Sequence, residues 1–234
     1  MTDFKSGEVR LSHARLAETL SAVANGGGRR PSLLPGWTVG HVLTHLARNA
    51  DSLVRLLEAA ARGEVADQYP GGSAQRTADI EAGARRPAAA LVADVLASAA
   101  RWEAVCDATP EEAWRTGQGR AAGGLWSLAE VPFRRWREVE VHHVDLGLGY
   151  GVADWPDAYV DAELARSVVG LAPRLAPGTA VDLVATDTGE RWPVPDGPVA
   201  GRQTVAGERR FLLAWLLGRG GGGPAFPRIG PWTG

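Results

Sequence analysis

Residues 36–46 read Gly36-Trp37-Thr38-Val39-Gly40-His41-Val42-Leu43-Thr44-His45-Leu46. Thr38 is a favourable N-cap residue, and the apolar residues after it recur at helical spacing to about Arg62, just before Gly63. His41 and His45 are four residues apart, so both side chains lie on one face of this helix. The segment therefore predicts a long amphipathic helix that carries two histidines on the same face.

A second helical segment combines histidine with carboxylate side chains. It reads Arg137-Glu138-Val139-Glu140-Val141-His142-His143-Val144-Asp145-Leu146-Gly147. Glu138 and His142 share a helix face, whereas Glu140 does not, and His143 lies about 100 degrees round the helix from His142. If the two helices lie side by side, imidazoles and a carboxylate converge between them. Helical bundles build divalent metal sites in this way.

The candidate ligands are His45, Glu138 and His142, because three protein ligands with one open position are typical of a catalytic zinc site. His41 is left open as a fourth ligand or a supporting group. Asp145 is equally open, either as an acceptor that orients an imidazole or as a polar residue near the helix end. The first segment lacks a glutamate directly after its first histidine, which argues against a metalloprotease.

The remaining pattern predicts a helical first part and a mixed second part. Helices are expected at residues 8–24, 38–62, 88–108 and 127–146, with a further stretch from Ser73, a restart at Pro87, a loop at 115–124 and Gly147 as a C-cap. Four such helices favour an antiparallel bundle. Beyond residue 150, helices are expected at 157–171 and 207–217, and strands at 180–185, 191–194 and 199–205, the first two as a hairpin.

The predicted fold class is therefore mainly α, with a four-helix bundle followed by a small α+β domain. The domains are expected at residues 1–150 and 151–234. The formal net charge of the 234 residues is −2, which argues against nucleic acid or an anionic membrane as a partner. The apolar run at 211–217 is too short to span a bilayer. Oligomeric state is not indicated.

Cysteine usage and the first residues favour a cytoplasmic location. Cys106 is the single cysteine, so no intrachain disulfide can form, and its helical, apolar context favours an inert side chain over a nucleophile. The start of the sequence has no apolar stretch of the kind found in secretory signals.

The chain resembles the mycothiol-dependent maleylpyruvate isomerase family, whose N-terminal part is a DinB-like four-helix bundle. The resemblance rests on Gly36-Trp37-Thr38 with His41 and His45, on Arg137-Glu138-Val139 with His142 and Val144-Asp145-Leu146-Gly147, and on Gly218-Arg219-Gly220. It implies zinc, or another divalent metal, bound by His45, Glu138 and His142, with mycothiol as the thiol cosubstrate. It also implies a functional arginine at Arg219, which would contact the cosubstrate or substrate, and a second at Arg76.

The resemblance implies a thiolate that adds to the cis double bond of maleylpyruvate, followed by rotation and elimination to give fumarylpyruvate. Arg219, with Arg76, would bind the substrate carboxylates. Three alternatives remain: a mycothiol S-transferase, a non-catalytic DinB-like metal-binding or ligand-binding module, and a metal-dependent hydrolase with Asp145 or Glu140 as general base. The partners in each case are small molecules.

Overall fold

The computed structural model describes residues 3–23, 27–121, 123–195, 197, 201–220 and 226–232. Within them the protein is mainly helical, with a three-stranded sheet in its C-terminal part, which confirms the predicted fold class. The chain divides into two compact units, Met1–Tyr150 and Gly151–Gly234. No helix among the described residues is both long enough and apolar enough to cross a membrane.

The first unit is built from helices and one short hairpin. Its elements are α1 (Asp3–Leu20), α2 (Val39–Ala61), α3 (Gly72–Gly83), α4 (Ala88–Ala108), α5 (Glu111–Thr116), β1 (Gln118–Ala121), β2 (Gly124–Ser127) and α6 (Val131–Asp145). Helix α2 packs against α4 and α6, and α1 packs against the same two helices, so these four close a bundle. Helix α3 lies outside it against α2.

Buried aliphatic side chains fill one end of the bundle, where all four helices contribute. This cluster consists of Leu16, Leu20, Val23, Val39, Val42, Leu43, Leu46, Ala47, Leu91, Val92, Val95, Val139 and Leu146. The residues of α2 in this set recur at spacings of three and four, the pattern that predicted the helix. Because the burial of α2 is fixed by this stripe, the direction of its histidine-bearing face is fixed as well.

Both predicted helix ends beside the candidate site are confirmed. Helix α2 begins after Thr38, whose backbone N–H donates to Nδ1 of His41 at 3.1 Å. Helix α6 ends at Asp145, and Gly147 follows it with a φ of +65°, the left-handed conformation that a C-cap glycine adopts at low cost. These caps set the limits of the two helices that carry the candidate ligands.

The expectation of a loop at residues 115–124 is wrong. Helix α5 runs into this range, and β1 pairs with β2 as an antiparallel hairpin. Gly123 and Gly124 have φ values of +96° and +119°, which permit the tight connection but leave no hydrophobic alternation for sequence analysis to detect.

Helix α6 also starts later than the predicted residue 127. The Ser127 hydroxyl accepts from the N–H of Ala129 and caps a separate 3₁₀ turn at Leu128–Glu130, and Pro132 then occupies the first turn of α6. Helix α1 begins at Asp3 rather than at residue 8, and it ends at Leu20.

The second unit contains α7 (Asp157–Val169), β3 (Val181–Ala185), β4 (Arg191–Val194), β5 (Gln203–Gly207) and α8 (Arg209–Leu216). The strand order is β4-β3-β5, with β3 antiparallel to β4 and parallel to β5. The predicted hairpin of β3 and β4 is therefore confirmed. The strand expected at 199–205 begins at Gln203, and residues 199 and 200 lie outside the described part of the chain.

Candidate metal centre

Three potential ligand atoms converge where α2 packs against α6. Nε2 of His45 lies 2.7 Å from Oε2 of Glu138 and 3.0 Å from Nε2 of His142. The same carboxylate oxygen lies 3.3 Å from Nε2 of His142. The three side chains are enclosed rather than splayed on the surface, with exposed fractions of 2%, 27% and 13%.

This triangle of donor atoms fits a small divalent cation. With metal–ligand distances of about 2.0–2.2 Å, the ligands of a tetrahedral zinc ion lie roughly 3.4 Å apart. The observed separations of 2.7, 3.0 and 3.3 Å are shorter than this by up to about 0.7 Å, so the side chains would move apart by that amount to admit an ion. Two imidazole nitrogens and one carboxylate oxygen are also a donor set that zinc accepts. Among the described residues this is the only group of three such side chains close enough to share an ion.

Local electrostatics favour a neutral imidazole at His45 and an ionised carboxylate at Glu138. Burial is the main cause that lowers the pKa of His45, to about 4, so this imidazole is neutral at physiological pH. Burial raises the pKa of Glu138, but His45 and His142 outweigh it and hold the pKa well below the usual range. A neutral imidazole and an ionised carboxylate are the forms that bind a metal.

The third side chain, His142, is oriented by an acid on its own helix. Its Nδ1 lies 2.8 Å from Oδ2 of Asp145, one turn further along α6. Burial lowers the pKa of His142, but the hydrogen bonds to Asp145 and Glu138 raise it by more. A proton held on Nδ1 by a carboxylate leaves the Nε2 lone pair facing the triangle, as in the carboxylate–histidine pairs that support metal ligands.

The other histidine has a different partner. Arg76, on α3, lies with Nη2 3.0 Å from Nδ1 of His45, and its guanidinium lies 5.6 Å from the centre of the Tyr69 ring. The structure thus brings Arg76, predicted only from the family resemblance, next to a candidate ligand. Close helix packing allows this reach, because Gly83 of α3 faces Thr44 of α2 without room for a Cβ atom.

The remaining polar residues of the two segments lie away from the triangle. His41 accepts at Nδ1 from the backbone of Thr38, and its Nε2 lies 3.2 Å from Oε2 of Glu81, so it caps α2 instead of facing the triangle. Glu140 contacts Ser12 and Arg15 of α1, and also Tyr150. His143 lies 2.8 Å from the Thr19 hydroxyl.

Aromatic residues at the site differ in their roles. The indole of Trp37 contacts both α2 histidines, with ring-centre distances of 5.9 Å to His41 and to His45. It therefore forms a wall beside the candidate ligands. Trp136 is fully buried and donates to the Ser12 hydroxyl at 3.0 Å, so it belongs to the core between α1 and α6.

The side chains of Cys106 and Arg219 lie in different surroundings. Cys106 is buried, and burial raises the pKa of its thiol to about 12, which agrees with the predicted inert residue. Arg219 follows α8 in the second unit, where its Nη1 donates to the Leu217 carbonyl at 2.7 Å and its guanidinium lies 5.0 Å from the centre of the Trp232 ring. Its predicted role in binding substrate or cosubstrate stays a prediction.

Two side-chain contacts beside the candidate ligands could not be predicted from the sequence. The spacing of three residues between His142 and Asp145 permitted the observed hydrogen bond, but equally fitted a polar helix end. Nothing in the sequence indicated the contact between Arg76 and His45, because it joins helices separated by a loop. Arg55 and Tyr69, which lie beside Arg76, carried no sequence signal either.

Comparisons with known proteins match both the sequence and the fold. Residues 9–147 match the family model described as the mycothiol maleylpyruvate isomerase N-terminal domain. The chain is also similar to the crystal structure of the mycothiol-dependent maleylpyruvate isomerase, with 26% sequence identity and a TM-score of 0.88. That likeness covers 99% of this chain and 97% of the solved chain.

A solved mutant of the same isomerase, in which one histidine is replaced by alanine, matches with the same identity, coverage and TM-score. No curated protein sequence matches the chain.

Proposed function

The chain belongs to the mycothiol maleylpyruvate isomerase family, and from this premise we propose that it is a thiol-dependent cis–trans isomerase that converts maleylpyruvate to fumarylpyruvate. Mycothiol would be the thiol. Its sulfur adds to the activated double bond, the resulting single bond rotates, and elimination of the same thiol restores a double bond in the trans geometry. The convergence of His45, Glu138 and His142 within the bundle is the observation that carries this proposal.

His45, Glu138 and His142 would hold a divalent metal ion, and zinc suits their donor types. A bound zinc ion lowers the pKa of a coordinated thiol and so maintains a thiolate at neutral pH. The protein itself supplies no competing thiolate, because Cys106 is the single cysteine and burial raises the pKa of its thiol. These features suit an enzyme whose nucleophile is the thiol of a small molecule and not a cysteine side chain.

The surrounding side chains have separate tasks in this scheme. Asp145 keeps the proton on Nδ1 of His142, so that Nε2 remains a ligand atom. Trp37 lies beside His45 with 5.9 Å between ring centres and would shield that side of the imidazole from water. Arg76 carries a guanidinium beside the centre and would pair with a substrate carboxylate. For Arg219 we propose a second carboxylate or thiol contact, by resemblance to the family alone.

A metal-dependent hydrolase is less well supported by the side-chain contacts. Such an enzyme needs a general base beside the metal-bound water, and the sequence offers Asp145 and Glu140. Asp145 is engaged with Nδ1 of His142, on the side of the ring opposite to the triangle. Glu140 contacts Arg15 and Tyr150. Neither carboxylate faces the candidate metal position.

The decisive experiment is an assay of zinc-loaded protein with maleylpyruvate, with and without mycothiol. We expect conversion to fumarylpyruvate that requires the thiol and is lost in His45→Ala. The matched control is His41→Ala, one turn earlier on α2, which should keep its zinc and its turnover. Stoichiometric zinc without conversion would rule out maleylpyruvate as substrate. A thiol adduct that accumulates without elimination would instead identify a mycothiol S-transferase.

A further inference from the structure

A cavity of about 230 Å³ lies between α2, the loop before α3, and α3 itself. Arg76 forms part of its wall and also contacts His45, so this side chain connects the cavity with one candidate metal ligand. Tyr69 lines the same cavity and lies under the Arg76 guanidinium. Arg76 is therefore part of the cavity wall and also a neighbour of the candidate metal centre.

Three arginines line this cavity, and they differ in how their charge is balanced. Arg48 is paired with Asp94 at 2.8 Å and with Asp51 at 3.1 Å. Arg55 donates to a neutral acceptor, the carbonyl of Gln68, at 2.9 Å. Arg76 also donates to a neutral acceptor, the imidazole of His45.

The two acids in the cavity wall do not neutralise Arg55 or Arg76. Asp51 accepts from Arg48 and Arg101, and Asp79 accepts from the side-chain amide of Gln75 at 2.7 Å. Within the part of the chain that the structure describes, neither Arg55 nor Arg76 forms an ion pair with a carboxylate. Two guanidinium groups with neutral partners thus face one small cavity, and guanidinium groups bind carboxylates strongly through paired hydrogen bonds.

While Arg76 donates to His45 Nδ1, it disfavours metal binding through His45 Nε2. Arginine has only donors, so Nδ1 of His45 must accept, and the single proton of the neutral ring is then on Nε2. A neutral imidazole that binds a metal through Nε2 carries its proton on Nδ1, which cannot accept from arginine. His142 has no such conflict, because its Nδ1 faces a carboxylate.

We propose that the cavity between α2 and α3 is a carboxylate subsite, and that Arg76 couples its occupancy to metal binding. Arg76 has two alternative partners: Nδ1 of His45, or a carboxylate that it shares with Arg55 in the cavity. A bound carboxylate withdraws Arg76 from His45 and frees His45 Nε2 for the metal. By linkage, the metal strengthens carboxylate binding by the same factor. This inference rests on the ligand set of the proposed function.

The ligand class follows from the dimensions and the charges of the cavity. Two guanidinium groups suit one carboxylate, and a cavity of about 230 Å³ suits a small carboxylic acid. A small carboxylic acid and the metal ion would then strengthen each other's binding, so the metal would bind most tightly when the substrate is present.

The test is the zinc affinity of the full chain, measured by competition with a chromogenic chelator, with and without succinate as the probe anion. Arg76→Met should bind zinc about tenfold more tightly than the wild type, because the competing hydrogen bond is gone. Succinate should tighten zinc binding by the wild type severalfold and leave Arg76→Met unchanged. Equal or weaker zinc binding by Arg76→Met overturns the proposal.

Arg55→Met is the matched control, because it removes a positive charge from the same cavity without touching His45. It should leave zinc affinity within about twofold and should reduce the effect of succinate. If Arg55→Met tightens zinc as much as Arg76→Met, a general charge effect explains both results and the proposal fails. Nitrogen NMR of His45 gives an independent readout: the proton should be on Nε2 in the zinc-free wild type, and a proton on Nδ1 would contradict the proposal.

These results separate the inference from the proposed function. If the chain binds zinc and shows the succinate effect but has no thiol-dependent turnover, the coupling is supported and the isomerase function is contradicted. If the chain has turnover but its zinc affinity changes neither in Arg76→Met nor with succinate, the isomerase function is supported and the coupling is contradicted. A wild-type chain that binds no zinc overturns both.

Discussion

Nδ1 of His142 lies 2.8 Å from Oδ2 of Asp145, whereas the corresponding nitrogen of His45 lies 3.0 Å from a guanidinium nitrogen of Arg76. The two candidate histidine ligands are therefore supported in opposite ways. The carboxylate of Asp145 keeps a ring proton on Nδ1 and leaves Nε2 ready to bind a metal. The guanidinium of Arg76 favours the reverse tautomer. This asymmetry makes the two histidines separable by experiment.

Asp145→Asn should weaken zinc binding by about 10- to 100-fold, because an amide is a poorer acceptor for the proton on His142 Nδ1. Zinc affinity is measured by chelator competition, and circular dichroism checks that the fold is retained. Asp107→Asn is the control, since Asp107 pairs with Arg10 and is not among the side chains that contact the candidate ligands. Unchanged zinc affinity in Asp145→Asn would contradict an orienting role for the carboxylate.

His41→Ala should bind zinc normally but lower the free energy of unfolding by about 1 kcal/mol, because His41 accepts from the N-cap backbone of α2. Its contact with the exposed Glu81, at 3.2 Å, should add little. Chemical denaturation and metal titration of the same variant provide both measurements. Loss of zinc from His41→Ala would make it a fourth ligand and would revise the site.

The buried contact between His13 and Arg135 predicts that the protein becomes less stable as the pH falls. Arg135 donates to Nε2 of His13 at 3.1 Å, so the proton is on Nδ1, which lies 2.7 Å from Glu103. Burial is the main cause that lowers the pKa of His13, to about 4, against about 6.5 in the unfolded chain. The unfolded state therefore binds a proton first as the pH falls.

The free energy of unfolding should therefore fall by roughly 3 kcal/mol as the pH drops from 6.5 to 4, because only the unfolded chain protonates His13 in this range. Above pH 6.5 His13 is neutral in both states and the full stability is present. Urea denaturation across this range measures the loss. His13→Gln is the matched variant, because its amide can accept from Arg135 and donate to Glu103 without titrating. We expect a much flatter pH dependence in His13→Gln; equal slopes for the two proteins would show that His13 is not the sensor.

Gly40→Ala should destabilise the protein by about 2 kcal/mol, although alanine is intrinsically better in a helix by about 1 kcal/mol. A Cβ atom at Gly40 would overlap the carbonyl oxygen of Ala84, where α2 passes the end of α3. Gly7→Ala on α1 is the matched control, because a Cβ there meets nothing within 4 Å. It should stabilise the protein by about 0.5–1 kcal/mol. Thermal denaturation of both variants checks the opposite signs.

Local patterns in the sequence determined the helices and the candidate ligands. The apolar stripe of α2 fixed which face is buried, and the spacing of four residues placed Glu138 and His142 together on α6. Helix periodicity acts over neighbouring residues, so a single sequence is enough to read it. The glycines of the β1–β2 hairpin left no such pattern, and the hairpin was missed.

Tertiary structure alone decided how the two faces meet and what supports them. The contact between α2 and α6 brings His45 to His142, 97 positions apart, and the packing of α3 on α2 brings Arg76 to His45. These meetings depend on packing across the bundle and on close approaches such as that of Gly40 to Ala84. Periodicity gives the direction of a face along its own helix, but it contains no information about which residue of another helix will stand opposite.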